Sequence, residues 1–248
     1  MSSATSSAQF PASSIIVAID GPAGAGKSTI ARHLAKYFGL LNLETGAMYR
    51  AFALKSLRRG LRLDNVQELQ QLASETEIRL EPGEEENRVL LDGEDVTGFI
   101  RNQTVTDAAS RVSVFPVIRA WMVGLQQQMG ARGGVVMEGR DIGTVVFPHA
   151  QVKIFLDAAP EARGMRRFDQ MSPEHTVQAE EVLRELRARD ERDRNRADSP
   201  LKAALDAVLL DSTNMTLDEV VKAAEQIVMD KLTVSAGSAP RTNRFHQL

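Results

Sequence analysis

Cysteine is absent from the 248 residues. Its absence excludes a disulfide framework, a thiolate nucleophile and a cysteine-bound zinc, and it points to a reducing compartment. Histidine is scarce as well, and His33, His149, His175 and His246 are too scattered to suggest a metal cluster. No apolar run approaches the roughly 18 residues that a membrane span needs. The opening "MSSATSSAQFPASS" has neither the basic start nor the apolar stretch of an export signal. A cytoplasmic location is therefore expected. A surplus of positive charge is also lacking: the net charge of −3 argues against nucleic acid or an anionic membrane as partner, so any anion site must be local.

What is present is a globular composition, 43% hydrophobic, enough for one large or two modest domains. Residues 1–14 and 233–248 lack periodicity and read as tails. Between them the chain alternates strand and helix patterns. A β-branched run at 15–19 leads into a glycine loop and then a helix from Lys27 to Phe38, stopped by Gly39. "LLNLE", "GGVVMEG", "VKIFLD" and "AVLLDST" read as further strands, each followed by helix-period sequence, the second of them after first opening into a polar loop. Asp64 is the expected cap of a helix from about Asn65 to Glu75, and Thr216 with Glu219 forms a capping box for the last helix. The stretch "TEIRLEPGEEENRVLLDGEDVTG" differs in texture, with alternating residues and Pro-Gly and Asp-Gly turns, and predicts a small antiparallel insert. The fold class expected is α/β, a mostly parallel sheet with helices on both faces.

"GPAGAGKST" carries the first chemistry. Gly21, Gly26, Lys27 and Ser28 fit G-x-x-x-x-G-K-[ST], between a buried strand and a helix start. Glycines let successive backbone N–H groups curl round a phosphate, the helix terminus adds its dipole, and Lys27 supplies a full charge. Gly21, Pro22, Ala23, Gly24, Ala25, Gly26, Lys27, Ser28 and Thr29 are thus expected to cradle a nucleoside triphosphate, with Ser28 facing Mg2+. There is no N-K-x-D run to read guanine, no D-x-x-G switch after "VVMEG" and no LSGGQ segment. Phosphoryl transfer to a small acceptor remains, beside a P-loop module that binds without turnover.

Bringing two polyanions end to end requires cations from several segments. The chain offers Arg50, Arg119, Arg140, Arg166, Arg167 and the arginines of "RARDERDRNR". Arg189, Asp193 and Arg196 recur at i, i+4 and i+7, one helix face. The same segment also reads as a solvated helix laced by Glu185 with Arg189 and Asp190 with Arg194.

"IDGPAGAGKST", "LETGAMYR", "LDGEDVTGFIR", "AASRVSVFPVIR", "EGRDIGTVVFP", "VKIFLDA", "RDERDRNR" and "LDST", in that order from about Ile15 to about Leu232, resemble bacterial cytidylate kinases of the nucleoside monophosphate kinase group. The resemblance implies a P-loop NTPase fold whose core comprises 15–44, 104–162 and 197–232. It implies a nucleoside monophosphate-binding domain at 45–103, with the antiparallel insert at about 76–101, and a short helical lid at 163–196. By position, Arg50, Arg140 and Arg189 match residues that grip the acceptor phosphate, and Thr45 lies beside the acceptor. Ser110, Arg119, Asp141 and Arg196 match residues that face cytosine, and Asp193 with Asp141 matches contacts to the sugar. Asp141 also reads as a Walker-B-type carboxylate near the magnesium waters. Lys27, Arg166, from the lid side, and Arg189 are the expected catalytic cations. Glu138 departs from the shorter acid often found at its position. The implied reaction is ATP-dependent, Mg2+-assisted phosphorylation of CMP, with dCMP as a second acceptor, by a monomer.

Overall fold

Ile16–Asp20 forms β1, buried from Val17 onward, as a strand covered on both faces must be. In the computed structural model of the protein, which describes residues 14–83, 86–169 and 178–237, this strand is the centre of the main sheet. The tails expected at 1–13 and 238–248, and the middle of the expected lid, lie outside the described residues. With β2 (Leu41–Glu44), β6 (Val135–Gly139), β7 (Val152–Asp157) and β8 (Val208–Asp211) the order is β2-β6-β1-β7-β8. All four pairings are parallel, so every strand ends at the same edge.

Alternation in β1 assigns the two faces. Val17 and Ile19 pack with Ile30 and Leu34 of α1 (Lys27–Phe38) and with Ala224 and Val228 of α8 (Leu217–Gly237). Ala18 turns the other way, toward Met137, Ile142 and Val146. The glycine boundaries of α1 fall as the sequence predicts, with Gly26 and Gly39 both left-handed. Thr216 and Glu219 form the expected box, each side chain accepting the other's backbone N–H. The last helix continues past the expected Leu232 boundary to Gly237.

The insert is present as β3 (Ile78–Glu81), β4 (Arg88–Leu91) and β5 (Glu94–Asp95), all antiparallel. Asp92 and Gly93, with φ of 50° and 87°, make the tight turn that Asp-Gly favours. Its inner residues Ile78, Val89 and Leu91 share a core with α2 (Thr45–Arg58) and α3 (Val66–Ser74). Pro116 separates α4 (Gln103–Val112) from α5 (Pro116–Gly130), which meet at 104°. No single described helix is long and apolar enough to cross a membrane.

Three local expectations change. The cap of α3 is Asn65, whose side chain accepts from Glu68 N at 3.3 Å, rather than Asp64, which Arg62 holds. The segment after β6, read as a polar loop, contains a π-helical turn at Ile142–Val146, buried because its apolar residues fill the sheet face. Finally, α7 (Ala179–Arg194), which packs on α6 (Pro160–Asp169), ends before Arg196. Arg196, just past the Asn195 cap, lies 3.8 Å from Asp193 through Nη1, and the chain turns back there, Leu201 N donating to Asp193 O at 2.8 Å.

Candidate functional site

The glycine loop leaves β1 under a tight ceiling. A Cβ on Gly21 would lie 1.9 Å from the Leu156 carbonyl oxygen, so only glycine fits. Behind it, Asp20 accepts from Ile142 N and Gly143 N at 2.7 Å each, fixing the loop against the π-helical turn. Burial pushes the Asp20 carboxyl up to about 6. Lys27 curls back and donates to Pro22 O at 2.6 Å. Its ammonium is pulled down to about 7, chiefly by burial and then by Arg140 and Arg189.

From this loop a cavity of about 900 Å³ opens, the size of a large ligand site. Every residue predicted to bind phosphate, acceptor or metal lines it except Gly21, set beneath Leu156, and Pro22, whose carbonyl serves Lys27. Two groups of side chains face it. Lys27, Glu138, Arg140 and Arg189 act on one another's charge on the loop side. Tyr49, Arg119, Asp141 and Arg196 form the second group, and Asp193 touches both.

Most of the cations are already committed. Arg140 Nε donates to Asp193 at 2.8 Å, Arg119 pairs with Asp141, and Arg50 pairs with Glu44. Arg166 holds Ser212 Oγ at 3.0 Å, at the end of β8. The Arg189 side chain makes no hydrogen bond among the described residues. Burial, followed by Arg140, pushes its guanidinium down to about 10. Thr45 gives its hydroxyl proton to Glu138 O at 2.7 Å. Several buried atoms on the cavity wall have no partner among the described residues: Ser110 Oγ, Arg119 Nε, Arg196 Nε, Arg50 Nε and Glu138 Oε1.

That last oxygen puts a second acid beside the loop. Asp141 pairs with Arg119, and Glu138 is buried, has an oxygen without a partner among the described residues, and lies close enough to Ser28 for the hydroxyl to stabilise its charge. Burial and the neighbouring Glu44 carboxylate push the Glu138 carboxyl above its usual range. Among the described residues no three His, Asp or Glu gather as a metal cage.

Sequence reasoning overlooked Arg163 and Asp190. Arg163, 1% exposed, donates to Ala23 O and to Ala158 O at 2.8 Å each and pairs with Asp190 at 2.7 Å. Asp190 in turn accepts from Ala23 N. The pair staples the phosphate loop to α7 beside Arg189. Neither ion pair of the solvated-helix reading forms: Asp190 takes Arg163, and Glu185 accepts from Gln103 at 3.0 Å. The carboxamide of Gln103, on α4, also accepts from Arg167 of α6 at 3.3 Å, so one side chain spans to both helices on the cavity's other side. Removing one partner of a buried pair strands the other, so Arg163→Ala is expected to cost about 3 to 5 kcal/mol of folding stability. A denaturant titration reads this directly, and a loss below about 1 kcal/mol would mean the pair only offsets its own desolvation.

Comparison with known proteins bears on the acceptor. A family model described as cytidylate kinase matches residues 17–230. The chain belongs to the cytidylate kinase family. Curated cytidylate kinases agree: that of Solibacter usitatus (strain Ellin6076) is 48% identical over 88% of this chain and 94% of its own. That of Pasteurella multocida (strain Pm70) is 44% identical over 90% and 98%, and that of Pelotomaculum thermopropionicum 49% identical over 83% and 92%. Among solved structures, a shikimate kinase from Acinetobacter baumannii aligns at 17% identity over 91% of this chain and 96% of that one, with a TM-score of 0.41. As a cytidylate kinase family member the chain is a phosphotransferase that phosphorylates CMP.

Proposed function

We propose that the chain transfers the γ-phosphoryl group of ATP directly to CMP, and also to dCMP, in one in-line step inside this cavity. The acceptor phosphate oxygen is a nucleophile at neutral pH, so no general base is needed; alignment and charge neutralisation supply the rate. The glycine loop and Lys27 hold the donor phosphates, with Arg166 beside them. Arg50, Arg140 and Arg189 receive the acceptor phosphate, and Thr45 borders it. Mg2+, with Ser28 and Glu138 toward it, would neutralise donor charge when bound. The acceptor-binding part built on α2 and the helices α6 and α7 close over the substrates and exclude water. The protein works as a cytoplasmic monomer, with neither nucleic acid nor a membrane as partner.

The observation that carries the acceptor assignment is the set of unpartnered buried atoms. Ser110 Oγ, Arg119 Nε and Arg196 Nε surround one end of the cavity with hydrogen-bonding capacity that the protein leaves unused, and such groups are costly unless a ligand completes them. Cytosine presents an amine donor with ring acceptors beside it. A hydroxyl or carboxylate takes the first and arginines take the second. Uracil offers an acceptor where cytosine has the amine, so it sets one acceptor against another at Asp141. Asp193 and Asp141 are then near the sugar.

ADP release measured with CMP, dCMP, UMP, AMP and shikimate as acceptors tests this reading. CMP and dCMP are expected to lead; a higher kcat/KM with UMP, AMP or shikimate, or no ADP with any acceptor, overturns it. In the same assay Asp141→Ala should raise KM for CMP about tenfold, the worth of a hydrogen bond to a charged group, while changing UMP little. Equal losses on both would remove Asp141 from base reading.

A further inference from the structure

Arg101 lines the cavity, and nothing above uses it. It ends the insert, one residue before Asn102 caps α4. Its guanidinium pairs with Glu86 at the other side of the insert, and its Nη2 also lies 3.4 Å from Glu44 Oε2. Glu44 Oε1 holds Arg50 Nη2. One carboxylate at the end of β2 therefore bridges two guanidiniums, one from α2 and one from the insert. Burial works against the charge on Glu44, yet Arg50 and Arg101 hold its carboxyl below the usual range.

We propose that Arg101 is a further acceptor-phosphate ligand, and that Glu44, by bridging Arg50 and Arg101, holds the two guanidiniums where the acceptor phosphate would bridge them. The inference rests on the acceptor reading above. A carboxylate offers two oxygens to two guanidiniums; a phosphate monoester dianion offers three, with more charge, and planar guanidinium forks suit it. Arg50 has a donor to spare, because its Nε is buried and without a partner. Arg101 is the half free to adjust: its side chain is 44% exposed, against 15% for Arg50 and 13% for Glu44. The insert is anchored close by, Asn87 Nδ2 donating to Asn42 O of β2 at 2.5 Å. The insert thus reaches the acceptor phosphate through its own last residue, which gives this small sheet a direct part in binding.

The competing view is that Arg101 merely staples the insert through Glu86, and variants of the full chain separate the two. Both Arg101→Ala and Glu86→Ala remove the exposed Arg101–Glu86 pair, which contributes little to stability. Arg101→Ala is expected to raise KM and the calorimetric Kd for CMP about tenfold, the loss of one charge-assisted hydrogen bond, leaving KM for ATP unchanged. Glu86→Ala should leave CMP affinity as it was, and Arg101→Lys should recover part of the loss. Cytidine, which lacks the phosphate, should inhibit wild type and Arg101→Ala equally. The proposal is overturned if Arg101→Ala binds CMP as tightly as wild type, if Glu86→Ala matches its loss, or if cytidine weakens in step with CMP. Because wild type runs in parallel, failure of CMP turnover itself would show separately as failure of the acceptor reading.

Discussion

Lys27→Ala is expected to lower kcat by on the order of 10³-fold or more, the cost of deleting a preorganised charge that faces the transferring group. The alanine removes little else, since the lysine's one protein hydrogen bond is to a carbonyl of its own loop. Steady-state rates with saturating ATP and CMP measure the effect, and near-wild-type turnover would take the loop out of the mechanism. The depressed lysine adds a signature that the alanine variant must lose. With its ammonium pulled down to about 7 by burial and the arginines beside it, much of the ligand-free protein carries a neutral Lys27 at pH 8. A bound triphosphate favours the charged form and raises that value. ATP binding therefore takes up a proton at pH 8 and little at pH 6, where the lysine is already charged. Calorimetry in buffers of different ionisation enthalpy reads the uptake, and equal values at both pH settings would contradict it.

Arg189→Ala should cut kcat by on the order of 10³-fold, in the range of arginines that meet a transferring phosphoryl group, with KM for ATP changing far less. The physical ground is its isolation. Arg50, Arg119 and Arg140 each have a carboxylate in hand, so part of what they offer a substrate is offset by the bond they give up. Arg189 has no such bond to surrender, and the positive neighbours Arg140, Arg50 and Arg167 make its charge uncomfortable until an anion arrives. Its interaction is greatest where negative charge gathers between donor and acceptor. A variant that raises KM for ATP while keeping kcat would show a binding contact and nothing more.

The phosphate loop was legible because its function is local: glycine spacing, a preceding strand and a following helix all lie within one short stretch. The parallel sheet followed from alternating strand and helix patterns, and the insert from a change of period and an Asp-Gly turn. What escaped detection depends on residues distant in sequence. Arg163 reads as one more surface arginine until folding buries it against Ala23 and Asp190. Glu138 stands out only in the fold, where its carboxylate keeps an oxygen without a partner among the described residues. Ser110 has no pattern of its own in an alanine-rich helix, and only the family resemblance singled it out before its unpartnered hydroxyl appeared. Arg196 lines the cavity from just beyond the end of α7, at a turn of the chain that helix periodicity does not describe.

Gln103 has a consequence for how the cleft responds to ionic strength. The side chain that joins α4 to both α6 and α7 is a carboxamide without net charge, and contacts of that kind depend less on screening than attraction between full charges. Added salt will weaken the capture of nucleotides by competing for the arginines, while this bridge across the cavity wall stays nearly as strong. Tight entry and firm enclosure are thus set by different forces, and the first can be tuned without loosening the second.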